Sequence, residues 1–385
     1  MALRDRNYST SLVPLFILAI GLFGITQAAG AIDPEVPRTQ AGAEKGSVSQ
    51  EIELGAAYFA GRGVPRDEKR AAYWYEKAAN SGDPAAQLHI GYFYQAGIGV
   101  TRDPTRAARW FERAVAGGLV EAKIDLGVAY IWGLGVRKDP AFAADLFREA
   151  ADKHSGAGAC YLADLYFKGW GVPRDESKAI HWFEVGAKYH DPVAEYNLGF
   201  ILSTPEKGQY AKAAKLLRES AAAGYVPAKH QLGLLATNRP ELAASPGENV
   251  TLLEEAAADG FWKSSVVLGV LARDGRGVTK NPETAYLHFR IAILQGNADT
   301  ARLLAKDIRD LSSGLGKAEI ESLDSKAAVW MQTHSHPLQF APLQNHYDRA
   351  FPAYALEYPE EGVHAGKLIA APETDGGQDI GSTFR

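Results

Sequence analysis

Apolar and small residues recur along this chain at a fixed interval. A leucine or isoleucine followed by glycine or alanine stands at Leu54-Gly55, Ile90-Gly91, Leu126-Gly127, Leu162-Ala163, Leu198-Gly199, Leu232-Gly233, Leu268-Gly269 and Leu304-Ala305. Successive pairs lie 36 residues apart, except for one step of 34. Such a period predicts a solenoid, in which each repeat buries its apolar face only by stacking on its neighbours.

Within one period the spacing predicts a hairpin of two helices. Leu54 and Tyr58 are four residues apart and therefore share one face of a first helix. Gly61 and Gly63 follow, and a glycine adopts the positive φ that ends a helix without a steric penalty. Asp67 can then accept bonds from the free backbone N–H groups at the start of a second helix. Equivalent N-caps occur at Asp103, Asp139, Asp175 and Asn281.

The second helix has its own columns of small and large residues, which let two helices cross closely and interlock. We expect three tryptophans of this column, Trp74, Trp110 and Trp182, to fill the space between helices. Contact with a sugar or a peptide is their alternative role. The glycines of the first-helix column are likewise predicted to be structural positions of the repeat: Gly55, Gly91, Gly127, Gly199, Gly233 and Gly269.

The first-helix motif L-G-x-x-Y-x-x-G-x-G-V and the second-helix motif A-x-x-W-[YF]-x-x-A-A-x-x-G resemble the Sel-1-like repeat, a relative of the tetratricopeptide repeat with a longer loop between its helices. The resemblance covers residues 51–311, although Ser203–Gln209 and Thr237–Glu248 lack the double glycine and should have distorted loops. Together, period and resemblance predict an all-α, right-handed α-solenoid of about seven helix-turn-helix repeats plus a C-terminal capping helix. The resemblance also implies an interaction scaffold rather than a catalyst.

The flanking segments have a different character. Residues 1–31 are predicted to be a signal peptide, because Arg4 and Arg6 precede an apolar run over Leu12–Ile25 and small residues follow it. If this signal is cleaved, no stable membrane anchor remains, and the protein is periplasmic or secreted. Residues 32–48 are predicted to be a linker, 49–311 the repeat solenoid and 312–333 the capping helix. Residues 334–385, which contain histidines and aromatic residues, are predicted to form an irregular or partly disordered tail.

Composition argues against several functions. A net charge of −5 gives no general case for nucleic-acid binding. The only cysteine, Cys160, falls in an apolar column and is expected in the core. Phosphate-loop, zinc-helix, nucleophile-elbow and S-x-x-K motifs are all missing from the sequence. We therefore expect no catalytic, metal or cofactor site, and we interpret His181, His230 and His288 as ordinary helix residues.

Two sets of residues are candidates for binding a partner. The residue before each second-helix cap is basic, and stacking would bring these side chains to one edge as a basic rail: Arg66, Arg102, Lys138, Arg174 and Lys280. The simpler interpretation is a solvated loop charge paired with the neighbouring aspartate. Trp132 and Trp170 lie beside or between the loop glycines and are candidate aromatic anchors of an interface.

These features favour an exported, non-enzymatic scaffold that binds a protein partner through the groove lined by first helices, in envelope assembly or signalling. The alternative is a scaffold or regulator associated with an exopolysaccharide, because a basic rail would suit an anionic polysaccharide. A remote alternative is a β-lactam-hydrolysing enzyme, an activity proposed for cysteine-rich relatives of this repeat. The single cysteine and the missing S-x-x-K motif argue against it.

Overall fold

The computed structural model describes residues 36–296 and 298–334, so the predicted signal peptide and all of the tail after His334 lie outside the described residues. Within these two stretches the regular structure is helical, without strands. The α-helices are α1 (Val36–Glu44), α2 (Val48–Ala60), α3 (Glu68–Asn80), α4 (Pro84–Ala96), α5 (Pro104–Ala116), α6 (Val120–Trp132), α7 (Pro140–Asp152), α8 (Gly156–Lys168), α9 (Glu176–Lys188), α10 (Pro192–Leu202), α11 (Tyr210–Ala222), α12 (Val226–Asn238), α13 (Glu248–Ala258), α14 (Trp262–Asp274), α15 (Pro282–Gln295), α16 (Ala298–Ser312) and α17 (Lys317–His334).

The helices belong to two compact units. The first unit contains α1 to α7 together with the loop Trp170–Val172, and the second contains α8 to α17. In both units each even-numbered helix from α2 to α14 packs most extensively against the odd-numbered helix that follows it. The all-α class and the tandem helical hairpins are therefore confirmed.

The predicted caps form at both ends of the regular hairpins. The Asp67 carboxylate accepts a hydrogen bond from the Arg70 backbone N–H at 3.0 Å, and the other four predicted N-caps bond in the same way. Gly61, which follows α2, is left-handed with φ 68°, and the equivalent glycines of α4, α6, α8 and α14 adopt the same conformation. Each first helix therefore ends where its double glycine begins.

Close crossing of the two helices explains the glycine column. A Cβ on Gly127 would lie well within 3.0 Å of the Phe147 ring, a distance that real Cβ atoms essentially never show. Gly91 meets Phe111 and Gly269 meets Phe289 in the same way. Of the three column tryptophans, Trp74 and Trp110 are buried and Trp182 is half-buried.

The segment predicted as a linker contains a helix instead. Residues Val36–Glu44 form α1, and Ala43 is completely buried. Lys77 Nζ donates to the Ala43 carbonyl oxygen at 2.7 Å and lies 2.9 Å from the buried Glu51 carboxylate. The turn after α1 contains Gly46 at φ 89°, which is 36 residues before Gly82 at φ 95°. Helix α1 is thus a degenerate second helix that covers the start of the first repeat.

The loops that lack the double glycine are irregular, as predicted. Between α12 and α13 the chain forms a short 3-10 helix, Pro240–Leu242. The Arg218 guanidinium holds this loop by donating to the Leu242 carbonyl oxygen at 3.2 Å and to the Glu248 carboxylate at 3.3 Å. At the other end of the second unit, α17 packs chiefly against α15 rather than α16, and Arg290 contacts Asp324 at 2.6 Å.

Candidate interaction surface

The five rail residues occupy the same place in their loops. Each side chain packs at its base against the first loop glycine: a Cβ built on Gly97 would lie 3.2 Å from the Arg102 Cβ, and the other four loops give 3.1 to 3.4 Å. All five side chains are exposed: Arg66, Arg102, Lys138, Arg174 and Lys280. Their alignment along a single edge stays a prediction.

The rail cations do not pair with the neighbouring caps, so that simpler interpretation is wrong in its detail. Arg66 contacts Glu68 at 2.6 Å, and Arg102 donates to the Gln95 carbonyl oxygen at 3.1 Å. Three of the four cap carboxylates instead lie 3.5 to 3.8 Å from a cation three residues later, as Asp67 does from Arg70. This leaves the rail uneven, with some cations engaged by their own loop.

In the first unit three loops pack onto the hairpin before them. A Cβ on Gly135, the second loop glycine after α6, would lie well within 3.0 Å of the Pro104 carbonyl oxygen at the start of α5. Gly99 lies equally close to the start of α3, and Gly171 to Pro140 at the start of α7. The double glycine therefore allows backbone to approach backbone, and it places the loop containing Trp170 directly on α7.

Trp132 and Trp170, the two candidate aromatic anchors, contact each other. Their ring centroids are 5.9 Å apart and the ring planes are perpendicular. Both side chains remain accessible, with 41% and 40% of their surface exposed. An accessible pair of large aromatic residues is typical of the anchors of protein interfaces.

Sequence reasoning did not single out Phe142 on α7 or Arg137 in the loop before it. In three of the other four double-glycine repeats the third residue after the cap is a cation that lies over the first-helix tyrosine, as Arg70 does over Tyr58 at 5.3 Å; the fourth has Thr284 there. Phe142 replaces that cation, packs edge-on against Tyr130 at 4.7 Å and remains 44% exposed. The break in the cation column was visible in the sequence and could have identified Phe142.

We define the aromatic-basic patch as Trp132, Trp170, Phe142, Arg137 and Lys138. Arg137 and Lys138 are exposed, and neither forms an ion pair or side-chain hydrogen bond with any residue in 36–296 or 298–334. The nearby Asp139 carboxylate accepts from the Phe142 backbone N–H at 3.0 Å as the cap of α7. The patch thus combines large apolar side chains with positive charge.

The remaining titratable candidates are structural. Cys160 is fully buried, in agreement with its predicted core position. His230 is buried against Ser264, with 2.9 Å between Nδ1 and Oγ, and burial lowers the pKa of His288 to about 4. In the described part of the chain no group of three or more histidine, cysteine or acidic residues could hold a metal ion. Among the same residues, no helix is both long and apolar enough to span a bilayer.

The first helices offer little surface for recognition. Helices α8 and α10 contain no exposed residue, and α14 exposes only Asp274. Other first helices do expose residues, among them Trp132 at the end of α6. Recognition through a groove lined by first helices stays a prediction.

Comparisons with known proteins agree with this architecture. The family model of the Sel1 repeat matches residues 51–83, 84–119, 120–155, 156–188, 192–225 and 266–297, which together make up more than half of the chain. The chain therefore belongs to the Sel1 repeat family. The unmatched stretch 226–265 contains the irregular loop between α12 and α13.

Two solved structures are similar over large parts of the chain. One is c5321, a protective antigen of uropathogenic Escherichia coli with an SLR fold; it has a TM-score of 0.67 and 27% identity and covers 89% of this chain and 68% of its own. The other, a Sel1 repeat protein from Oxalobacter formigenes, has a TM-score of 0.51 and 27% identity, with coverage of 57% and 98%. None of the curated proteins compared matches the chain. The fold is thus that of a Sel1-repeat scaffold, which commonly mediates protein–protein interaction and is typically non-enzymatic.

Proposed function

We propose that this protein is an exported scaffold that binds a protein partner in the bacterial envelope, and that the partner docks on the aromatic-basic patch of the first unit. The observation that supports the proposal most is the pair formed by Trp132 and Trp170. Solvent contacts about two fifths of each side chain, although both belong to a unit that buries Trp74 and Trp110. Large aromatic residues that remain accessible contribute most when a partner covers them.

The export part of the proposal is supported by residues 1–31, whose basic start and apolar run resemble a signal peptide. Fractionation of the source cells, with N-terminal sequencing of the recovered protein, tests this part separately. Recovery of uncleaved protein in the cytoplasm would contradict export without affecting the binding surface.

Capture after crosslinking tests the binding. The wild-type protein, the double variant Trp132→Ala/Trp170→Ala and the control Val329→Ala are compared in the same envelope fraction. Val329 on α17 is 58% exposed, so its substitution also removes accessible apolar surface. We expect a crosslinked species that the control retains and the double variant loses. A species captured equally by all three proteins would contradict the proposed surface.

A second candidate function, binding an anionic polysaccharide, is supported by the exposure of all five rail cations. Its test replaces Arg66, Arg102, Lys138 and Arg174 with glutamine and measures retention on an anionic polymer as salt increases. Weaker retention at every salt concentration would favour this function, because screening and charge removal act on the same interaction. Unchanged retention would eliminate it.

A further inference from the structure

The side chains of the aromatic-basic patch indicate which chemical features its partner should have. Trp132 and Trp170 are perpendicular, so one ring presents its face where the other presents its edge. Two rings in this arrangement form a corner that accepts one bulky apolar side chain. They do not form a flat platform on which successive sugar rings of a polysaccharide could stack together.

The loop beside this corner carries two cations and one carboxylate. Arg137 and Lys138 are exposed and form no ion pair or side-chain hydrogen bond with the described residues, while the cap of α7 occupies Asp139. The Lys138 side chain begins against Gly133, the residue directly after Trp132, since a Cβ on that glycine would lie 3.4 Å from the Lys138 Cβ. The two cations are therefore available to carboxylates held next to the aromatic corner.

We infer that the patch binds an acidic peptide segment in which a bulky apolar or aromatic side chain is flanked by carboxylates. The apolar side chain enters the corner formed by Trp132 and Trp170 and packs near Phe142, and the carboxylates contact Arg137 and Lys138. Burial of the aromatic contact supplies most of the affinity, and the charges supply orientation and salt dependence. This inference rests on the proposed function, because it specifies the partner chemistry of the same surface.

Three labelled polymers of similar length provide the probes: a random copolymer of glutamate and tyrosine, polyglutamate, and alginate. Fluorescence anisotropy measures their binding to the purified protein and to Trp132→Ala and Arg137→Gln/Lys138→Gln. The control Arg276→Gln/Lys280→Gln removes the same charge from the double-glycine loop after α14, which carries no tryptophan. Circular dichroism confirms that each variant keeps the wild-type helicity.

We expect the glutamate-tyrosine copolymer to bind more tightly than polyglutamate, and alginate to bind least. Trp132→Ala should weaken copolymer binding by roughly tenfold or more, the loss typical of an interface anchor. Arg137→Gln/Lys138→Gln should weaken it and flatten its salt dependence, whereas the control should change it less than about twofold. Because both cations are exposed, this second variant tests the inference even if Trp132→Ala unfolds.

Several outcomes would overturn the inference. Equal effects of the two charge variants would show general attraction to a polyanion. Alginate binding that depends on Arg137 and Lys138 would assign the patch to an anionic polysaccharide. If the copolymer binds no better than polyglutamate while crosslinked capture still requires Trp132 and Trp170, the acidic-peptide chemistry is wrong and the proposed function stands. If capture is also independent of both tryptophans, both are wrong.

Discussion

The two units use the same repeat but join their loops differently. In the first unit the second loop glycine lies against the backbone that starts the preceding second helix, as Gly135 lies against Pro104. In the second unit the equivalent Gly277 has only Asn249 Nδ2 nearby, at 3.9 Å from a built Cβ, because the irregular loop between α12 and α13 replaces the regular one. Glycines at equivalent loop positions and similar φ therefore have different tertiary contacts. Substituting each of them can separate the energetic cost of a left-handed backbone from the cost of a steric clash.

The largest expected effect comes from Gly135→Ala. Its φ of 73° is unfavourable for alanine, and its Cβ would overlap the Pro104 carbonyl group. We expect a loss of about 3–5 kcal/mol in the free energy of unfolding, the range of a severe backbone clash. The matched control Gly277→Ala has φ 70° and an open surrounding, so only the left-handed conformation should cost about 1–2 kcal/mol.

Thermal and urea unfolding of both glycine variants measure this difference. Equal losses would show that backbone conformation alone explains the double glycine. The contact between a loop and the preceding hairpin would then contribute nothing to the first unit.

A smaller effect is expected at the helix crossings. Gly127→Ala in the first unit places a methyl group well within 3.0 Å of the Phe147 ring, whereas Gly233→Ala in the second places it 2.8 Å from the Leu253 Cγ and 3.1 Å from the Asn249 carbonyl oxygen. Overpacking should cost Gly127→Ala about 1–3 kcal/mol net of the better helix propensity of alanine. Gly233→Ala should cost less, because its nearest contact is less short. Urea midpoints in the opposite order would contradict the distinction between ring and leucine crossings.

The second unit also contains a buried carboxylate, Glu195, whose pKa is raised. Burial, followed by the charge of Glu219, raises the pKa of Glu195 to about 6, and His190 opposes this shift at 3.6 Å. Because the folded pKa exceeds the unfolded one, the native state binds more protons between pH 4.5 and 6, and this group contributes less stability as pH rises.

Glu195→Gln should therefore stabilise the protein at pH 7 by at most about 2 kcal/mol and reduce the change in Tm between pH 7 and pH 5. His288 has the opposite effect on the pH dependence of stability, because the contribution of its lowered pKa is lost as pH falls from 6.5 toward 4. This effect is the same in the wild type and in the variant. The control Glu184→Gln removes an exposed carboxylate beside Lys212. Equal pH profiles for both variants would refute a special role for Glu195.

The smallest expected effect concerns the ends of second helices. Glycine occupies this position at Gly82, Gly118, Gly224 and Gly260, whereas His154 after α7 and His190 after α9 adopt positive φ values of 69° and 55°. His190→Gly should relieve the strain, but it also removes the ring that lies 3.6 Å from the Glu195 carboxylate, so the free energy of unfolding should rise by less than about 1 kcal/mol. His154→Gly should likewise gain little, because it loses the 2.6 Å hydrogen bond with Tyr189. A lower Tm for His190→Gly would show that this histidine is structurally required.

The features that the sequence predicted correctly are those set by local conformation and by the period. The caps, the left-handed glycines and the buried leucine column depend on local conformation and period, and all of them form as predicted. Helix α1 was missed because only the small residues of its last turn and Gly46 after it keep the 36-residue register of the repeat. The start of the helix resembles a linker in sequence. Trp132 and Trp170 were identified as candidates, but their perpendicular contact and the exposed Arg137 and Phe142 were not.

The sequence alone determined the repeat, because the residues that end helices and those that fill helix crossings recur at fixed separations and act within one hairpin. Tertiary structure decided the rest. Whether Gly135 or Gly277 contacts a neighbouring backbone depends on the preceding loop, and whether Trp132 meets Trp170 depends on how the loop Trp170–Val172 packs on α7. Such contacts join residues about one period apart, and their geometry is set only when apolar surfaces of adjacent repeats are buried together.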